Sequence, residues 1–292
     1  MTGAGTGTMQ LVRSIPEIEA LRERLRSGGA TVGFVPTMGF LHEGHAALLR
    51  AARDECDLVV LSIFVNPKQF DRETDLDSYP RDEQRDLELA EREGVDFVLL
   101  PPVEELYPEG FATAVEVAGL TDVLCGSGES RGAGHFRGVT TVVALLLNLV
   151  DPDLAYFGQK DAQQVAVVKR MVDDLRFRTG ITVVPTVREP DGLAMSSRNA
   201  RLSESGRRTA AIIPQALERA RDVALAEGVP AGIAEGREML GGAGLQPEYF
   251  EARTTADLRT VDVAGDEDWM LALAVEVDGV RLIDNLPVES GR

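Results

Sequence analysis

The stretch Phe34-Val-Pro-Thr-Met-Gly-Phe-Leu-His-Glu-Gly-His45 places two imidazoles three residues apart, just after a turn with Pro36 and Gly39. A short apolar run, Thr31 to Val35, precedes it and reads as a buried strand. An amphipathic run, Ala46 to Arg53, follows. The order is strand, glycine turn, helix start. A helix start presents unpaired backbone N–H groups and the positive end of its dipole, so it favours a phosphate. His42 and His45 share one helical face and suit phosphate contact and general-acid work. Their i, i+3 spacing is not that of a zinc protease, whose histidines stand at i and i+4. His135, the third histidine, also lies beside glycines, and all three fall in predicted loops or helix starts, as site residues would.

Three more segments could carry chemistry. Gly158-Gln-Lys-Asp161 sits at a strand end before a helix. Lys160 there is either a point charge for phosphate or a solvated loop lysine. Asp161 and Gln164 have the spacing of a capping box, which leaves Gln164 open between cap and ligand. Met195-Ser-Ser-Arg198 follows the Asp191-Gly192 turn and offers two hydroxyls and a guanidinium to a triphosphate. Alternatively it is an ordinary polar loop. Asn66-Pro-Lys-Gln-Phe70 supplies amides that can bond hydroxyl and carboxylate groups, or is a turn fixed by Asn-Pro. The acidic tract Asp71 to Asp86 reads mostly as solvated surface, within which one carboxylate could help hold magnesium on a nucleotide.

The elements that must position these groups alternate in type. Strand-like runs fall at Thr31–Val35, Leu58–Val65, Phe97–Leu100, Leu154–Phe157 and Ile181–Pro185. Helical patterns fall at His45–Asp54, Arg81–Glu93, Val139–Val150 and Asp161–Leu175. Near-continuous apolar strands alternating with helices argue for a parallel α/β sheet covered on both faces. Ligands of such sheets bind beyond the carboxyl ends of the strands, where the polar segments fall. Gly126–Gly138 reads as a glycine-rich loop leading into the Val139 helix. After about residue 186 the pattern changes. Ser203 to Ala226 predicts one long surface helix, Pro230–Leu240 a second. Pro247–Arg253, Trp269–Val277 and Arg281–Leu286 predict strands, with an Asp-Gly hairpin turn at Val277-Asp-Gly-Val280. The expected division is a disordered extension at 1–8, a Rossmann-like domain at 9–186 and a small α+β domain at 187–292.

The bulk properties restrict the function. A chain of 292 residues can build one large or two ordinary domains. A net charge of −18 argues against broad nucleic-acid binding. Two cysteines, Cys56 and Cys125, make neither a disulfide framework nor a zinc cluster, so a reducing cytoplasm is the expected compartment. The N-terminus lacks the basic and apolar regions of a signal peptide, and Met9 is an alternative start. The longest apolar run, near Val139 to Val150, is too short to span a bilayer.

Taken together, the motifs resemble the pantothenate synthetases, or pantoate–β-alanine ligases. The matching pieces are Pro36-Thr-Met-Gly-x-Leu-His-x-Gly-His45, Ser62-Ile-Phe-Val-Asn-Pro-x-Gln-Phe70, Tyr79-Pro-Arg81 and His135-Phe-Arg-Gly138. Phe157-Gly-x-Lys-Asp-x-Gln-Gln164, Asp191-Gly-Leu-Ala-Met-Ser-Ser-Arg-Asn199 and Arg281-Leu-Ile-Asp-Asn285 complete the set, in family order across nearly the whole chain. The His-x-Gly-His element alone resembles the wider nucleotidyl-transferase superfamily.

This resemblance implies a Rossmann-like parallel-sheet nucleotidyl-transferase domain with a smaller α+β C-terminal domain. It implies Mg-ATP-dependent joining of pantoate to β-alanine through pantoyl adenylate, with release of pyrophosphate and AMP and without an organic prosthetic group. It further implies a cytoplasmic homodimer. By the same resemblance His42, His45, Lys160 and Arg198 are catalytic. The ATP site comprises Met38, Gly39, Phe40, Leu41, His42, Glu43, Gly44, His45, Gly158, Gln159, Lys160, Asp161, Val187, Met195, Ser196, Ser197 and Arg198. Asn66, Gln69 and Gln164 hold pantoate, Gln69 also lying near β-alanine, and Asp86 is the candidate metal carboxylate. Three departures stand out. Gln159 replaces a common glutamate, Arg85 breaks an expected acidic pair before Asp86, and the loop holding Arg131 is one residue longer. The rivals are a nucleotidyl transferase for another acid, a non-catalytic nucleotide-binding protein and a zinc hydrolase.

Overall fold

A computed structural model describes residues 8–70, 73–127 and 132–289. Residues 1–7 of the expected extension, Asp71 and Arg131 lie outside the described residues. The chain divides into two compact units. The first comprises Met1–Val117, Gly134–Phe157 and Val168–Val184, and the second Ala118–Ala133, Gly158–Val167 and Pro185–Arg292.

The elements from the N-terminus are β1 (Gln10–Val12), α1 (Ile15–Gly28), β2 (Val32–Thr37), α2 (Glu43–Glu55), β3 (Leu58–Ile63), α3 (Glu73–Asp77) and α4 (Glu83–Arg92). They continue with β4 (Phe97–Leu99), α5 (Val103–Leu106), α6 (Gly132–Val150), β5 (Leu154–Gly158), α7 (Ala162–Asp174) and β6 (Gly180–Val184). The sheet of the first unit has six strands in the order β1-β4-β3-β2-β5-β6. The pairings from β1 through β5 are parallel. This is the doubly covered sheet that the apolar strands require: Val59, Val60 and Leu61 of β3 are wholly buried. Val35, Leu49, Leu61, Val98 and Tyr156 share one core cluster.

The sheet also shows what the periodicity did not. β1 is a three-residue edge strand, too short to carry a pattern. α1 starts at a capping box in which the Glu17 carboxylate accepts the Ser14 amide at 3.1 Å. Residues 132–138, expected in the glycine loop, are the first turns of α6.

The second unit contributes α8 (Glu204–Ala210), α9 (Ile212–Glu227), α10 (Val229–Gly242), β7 (Pro247–Thr254), β8 (Trp269–Val277) and β9 (Val280–Val288). The expected single helix from Ser203 is therefore two. Pro214 has no N–H to donate back to residue 210, so the chain breaks at Ala211 and Pro214 falls in the first turn of α9. β7-β8-β9 form an antiparallel sheet. Asp278 and Gly279, at φ 53° and 72°, make the tight hairpin between β8 and β9. Trp269, Leu271 and Leu273 pack with Ile213, Leu217 and Phe250 in this unit's core. Among the described residues, no helix is long and apolar enough to cross a membrane.

Candidate active site

The two imidazoles sit where β2 hands over to α2. His42 is the N-cap of α2, and its Nδ1 accepts the Gly44 amide at 3.1 Å. The His45 Nδ1 accepts the His42 amide at 3.2 Å. The rings lie 4.1 Å apart between centroids. Each Nδ1 faces an N–H donor, which assigns the proton of each neutral ring to Nε2. Both rings therefore use one nitrogen to hold the helix start and keep the other as a donor, the form that hydrogen-bonds a phosphate oxygen. Gly44 is needed here, because a Cβ would stand 2.9 Å from His42 Cε1.

The turn before His42 is conformationally unusual. Gly39 and Phe40 both have positive φ, 79° and 51°. Phe40 gains no steric relief from being glycine, so something else must hold it. Asp86, 2 % exposed in the first turn of α4, does so. Its Oδ2 accepts the Phe40 amide at 2.8 Å and its Oδ1 the Leu41 amide at 2.6 Å. Burial pushes its carboxyl up, against those two amide bonds. Glu43 is exposed and pairs with Arg50.

A chain of amides forms a second cluster in the same unit. Asn66 accepts from the Lys68 amide at 3.2 Å and from Tyr107 Oη at 2.8 Å. Its Nδ2 donates to Gly138 O and to Gln69 Oε1, both at 3.0 Å. All four bonding positions of Asn66 are thus occupied, and it orients Gln69. Gln69 Nε2 lies 2.9 Å from Met38 Sδ. His135, buried in the first turns of α6, meets the Gln69 carbonyl at 2.8 Å through Nδ1.

The second unit holds a cationic pocket. Lys160, Ser196, Arg198, Asn199, Arg281 and Asp284 line it together with apolar neighbours. Lys160 lies in a short 3-10 turn, Gln159–Asp161, that leads into α7. Ser196 caps the Ser197–Arg201 turn, its Oγ accepting the Arg198 amide at 3.3 Å. Met195 donates to the Val187 carbonyl at 2.9 Å, closing the hairpin in front of these serines. Lys160 and Arg198 with the Ser196 hydroxyl suit an anion of high charge, while Arg281 is paired with Glu248 at 2.9 Å.

The sequence model described as Pantoate-beta-alanine ligase matches residues 10–287. The chain belongs to the pantoate–β-alanine ligase family. It is 47 % identical to the pantothenate synthetase of Heliobacterium modesticaldum, over 96 % of this chain and 100 % of that one. The crystal structure of pantothenate synthetase from Thermus thermophilus superposes with a TM-score of 0.87 at 45 % identity, covering 95 % of this chain and 99 % of that one. The pantoate–β-alanine ligase of Francisella tularensis, solved as a complex with beta-gamma ATP and β-alanine, matches with a TM-score of 0.78 at 33 % identity, covering 96 % and 97 %. The fold is accordingly the nucleotidyl-transferase-like sheet of these ligases, with the smaller antiparallel unit they share.

Within this chain, the expected site residues gather into groups. Met38 to His45 form the β2–α2 turn, and Asn66 and Gln69 form the amide chain beside Met38. Lys160, Ser196 and Arg198 share the pocket of the second unit. Gln164 is half-buried in the first turn of α7. Arg188, Asn199, Arg281 and Asn285 were not singled out by the motif chemistry. Asn199, Arg281 and Asn285 fall inside motifs that carry the family resemblance, and Asp284 is in phase with the inward-facing Val280 and Leu282 of β9.

Proposed function

We propose that this ligase binds Mg-ATP and pantoate, forms pantoyl adenylate, and passes the pantoyl group to β-alanine. In the first step a pantoate carboxylate oxygen attacks the α-phosphorus and the bond to the bridging oxygen breaks, releasing pyrophosphate. In the second the β-alanine amine attacks the acyl carbon, the bond to AMP breaks, and the amine loses a proton. Such transfers need positioning and charge stabilisation more than covalent help.

His42 and His45 donate Nε2–H to phosphate oxygens, with His45 as the proton donor. Met38 to Leu41, Glu43 and Gly44 contribute backbone to the nucleotide site, as do Gly158, Gln159, Asp161, Val187 and Met195. Lys160, Ser196, Ser197 and Arg198 neutralise the triphosphate. Gln69 and Gln164 hold pantoate, with Asn66 acting through Gln69. Magnesium enters on the nucleotide. The described residues hold no group of three carboxylate, histidine or cysteine side chains able to bind a metal, and the Asp86 oxygens both face amides. A homodimer in the cytoplasm is the proposed setting.

The observation that carries this reading is the coexistence, in a chain matching the ligase family over residues 10–287, of the histidine pair at the start of α2 and the cationic pocket. Pantoate-dependent exchange between ATP and labelled pyrophosphate tests the first step, and β-alanine-dependent AMP release tests the second. Exchange with a different carboxylic acid in place of pantoate would overturn the substrate assignment. ATP binding without any exchange would overturn the reaction.

A further inference from the structure

We propose that Asp284 and Asn285, consecutive residues of β9, are positioning residues for the phosphate pocket: Asn285 sets the Lys160 turn and Asp284 sets the hairpin that delivers Ser196 to Arg198. The proposal rests on the function given above and assigns a role to the C-terminal hairpin.

Each residue is 3 % exposed. The Asn285 Nδ2 donates to two successive carbonyls, Gln159 at 3.0 Å and Lys160 at 2.9 Å. Its Oδ1 accepts from Gln159 Nε2 at 3.0 Å. Two adjacent peptide planes of the 3-10 turn are therefore pinned by one rigid carboxamide, and with them the direction in which the Lys160 side chain leaves the backbone. Lys160 itself is held only loosely by its neighbour, with Nζ 3.7 Å from Asp161 Oδ1. An unpinned lysine has four rotatable bonds and a flexible stem.

Asp284 works on the other segment. It takes Arg188 in a bidentate pair, at 2.7 and 3.2 Å, and accepts the Asn285 amide at 2.8 Å. Arg188 passes this on to Gly192 O at 3.1 Å. Arg188 also bridges to Ala194 across the hairpin that Val187 and Met195 close. Successive strand residues project to opposite sides, so one dipeptide can grip two different segments.

Stability alone does not account for such a choice. Burying a carboxylate is costly, and apolar replacements of buried ion pairs are often neutral or stabilising. Burial does push the Asp284 carboxyl up, with Arg188 opposing it. What a polar dipeptide supplies and an apolar one cannot is directional hold on the carbonyls of Gln159 and Lys160 and on the Arg188 guanidinium.

Two independent readouts test the role of Asn285. In pantoate-dependent pyrophosphate exchange, Asn285→Ala should lower kcat by about 10²-fold, the scale of an ångström-sized misplacement, with little change in KM for pantoate. In the Lys160→Ala background the same substitution should add little, because its effect passes through Lys160. The second readout needs no activity. Lys68, Lys160 and Lys169 are the only lysines of the chain. Acetic anhydride labelling followed by mass spectrometry should show Lys160 several-fold altered in Asn285→Ala, with Lys68 and Lys169 unchanged. Asn285→Asp, nearly isosteric, is the second variant; it turns donors into acceptors that face two carbonyls, and should show the same labelling change. For Asp284, Asp284→Asn should lower kcat with little change in KM for pantoate. Unaltered Lys160 labelling in both Asn285 variants, or additive loss with Lys160→Ala, would overturn the Asn285 role, and wild-type kcat in Asp284→Asn would overturn that of Asp284. A wild-type protein without exchange would instead overturn the function, and labelling would still decide the position of Lys160.

Discussion

Asp86 Oδ1 accepts the Leu41 amide at 2.6 Å, across 45 residues of sequence, and thereby holds the turn that aims His42 and His45. With Oδ2 on the Phe40 amide, the carboxylate compensates the left-handed Phe40 backbone. Asp86→Ala leaves the buried Leu41 amide unsatisfied, at about 1–3 kcal/mol, and frees the half-buried Phe40 amide. It should lower both stability and turnover, while the Mg²⁺ concentration for half-maximal rate stays at the wild-type value. A large increase in that concentration would show Asp86 to be a metal ligand instead.

His45→Ala should reduce turnover by about 10²–10⁴-fold, the usual contribution of a general acid. Its unfolding free energy should fall far less. His42→Ala should also lose about 1 kcal/mol, because it removes the N-cap of α2. Steady-state rates and urea unfolding on the same preparations check both. Wild-type turnover in His45→Ala would remove it from the chemistry.

Gly138 is predicted to tolerate no side chain. A Cβ there would lie 2.2 Å from the Lys68 carbonyl oxygen and 2.7 Å from the Gln69 amide, both backbone atoms. Gly138→Ala should cost about 1–3 kcal/mol through overpacking, and raise KM for pantoate by displacing Gln69. Normal stability with normal KM would show that the turn at residues 67–69 can shift without consequence.

Acid should weaken the second unit through Glu189 and Asp191. The Arg207 guanidinium, 2.6 Å from Glu189 and 2.7 Å from Asp191, holds both carboxyls below their ordinary values. A carboxyl lowered by folding contributes stability above its unfolded pKa and loses it as pH falls through the folded one. Wild-type stability should therefore drop below about pH 4, the ordinary carboxylate range. The Glu189→Gln/Asp191→Asn variant should show a shallower fall, and parallel acid-unfolding curves would contradict this origin.

Several features are legible because one physical rule dominates them locally. The β3 and β5 strands are apolar but for Ser62 and Gly158, and they start at their expected positions, β3 ending at Ile63 rather than Val65. Asp278-Gly279 could hardly be other than a hairpin turn. The start of α6 escapes such a reading because Gly132, Gly134 and Gly138 look like loop residues by propensity, whereas Gly138 is there so that α6 can approach the Lys68 carbonyl. The break in the Ser203 helix was signalled by Pro214, but the apolar pattern continuing on either side of Ala211 outweighed it.

By itself the sequence determined the alternation of strands and helices from residue 31 onward, the chemistry of each motif and the family to which they belong. These depend on periodicity and residue type within short windows. Only the tertiary structure decided which partner each polar side chain serves. Asp86 reaches Phe40 and Leu41, Asn66 reaches Gly138, and Asp284 reaches Arg188 across 96 residues. Such bonds depend on the sheet order and on where the strand and helix ends converge, and no local pattern encodes that.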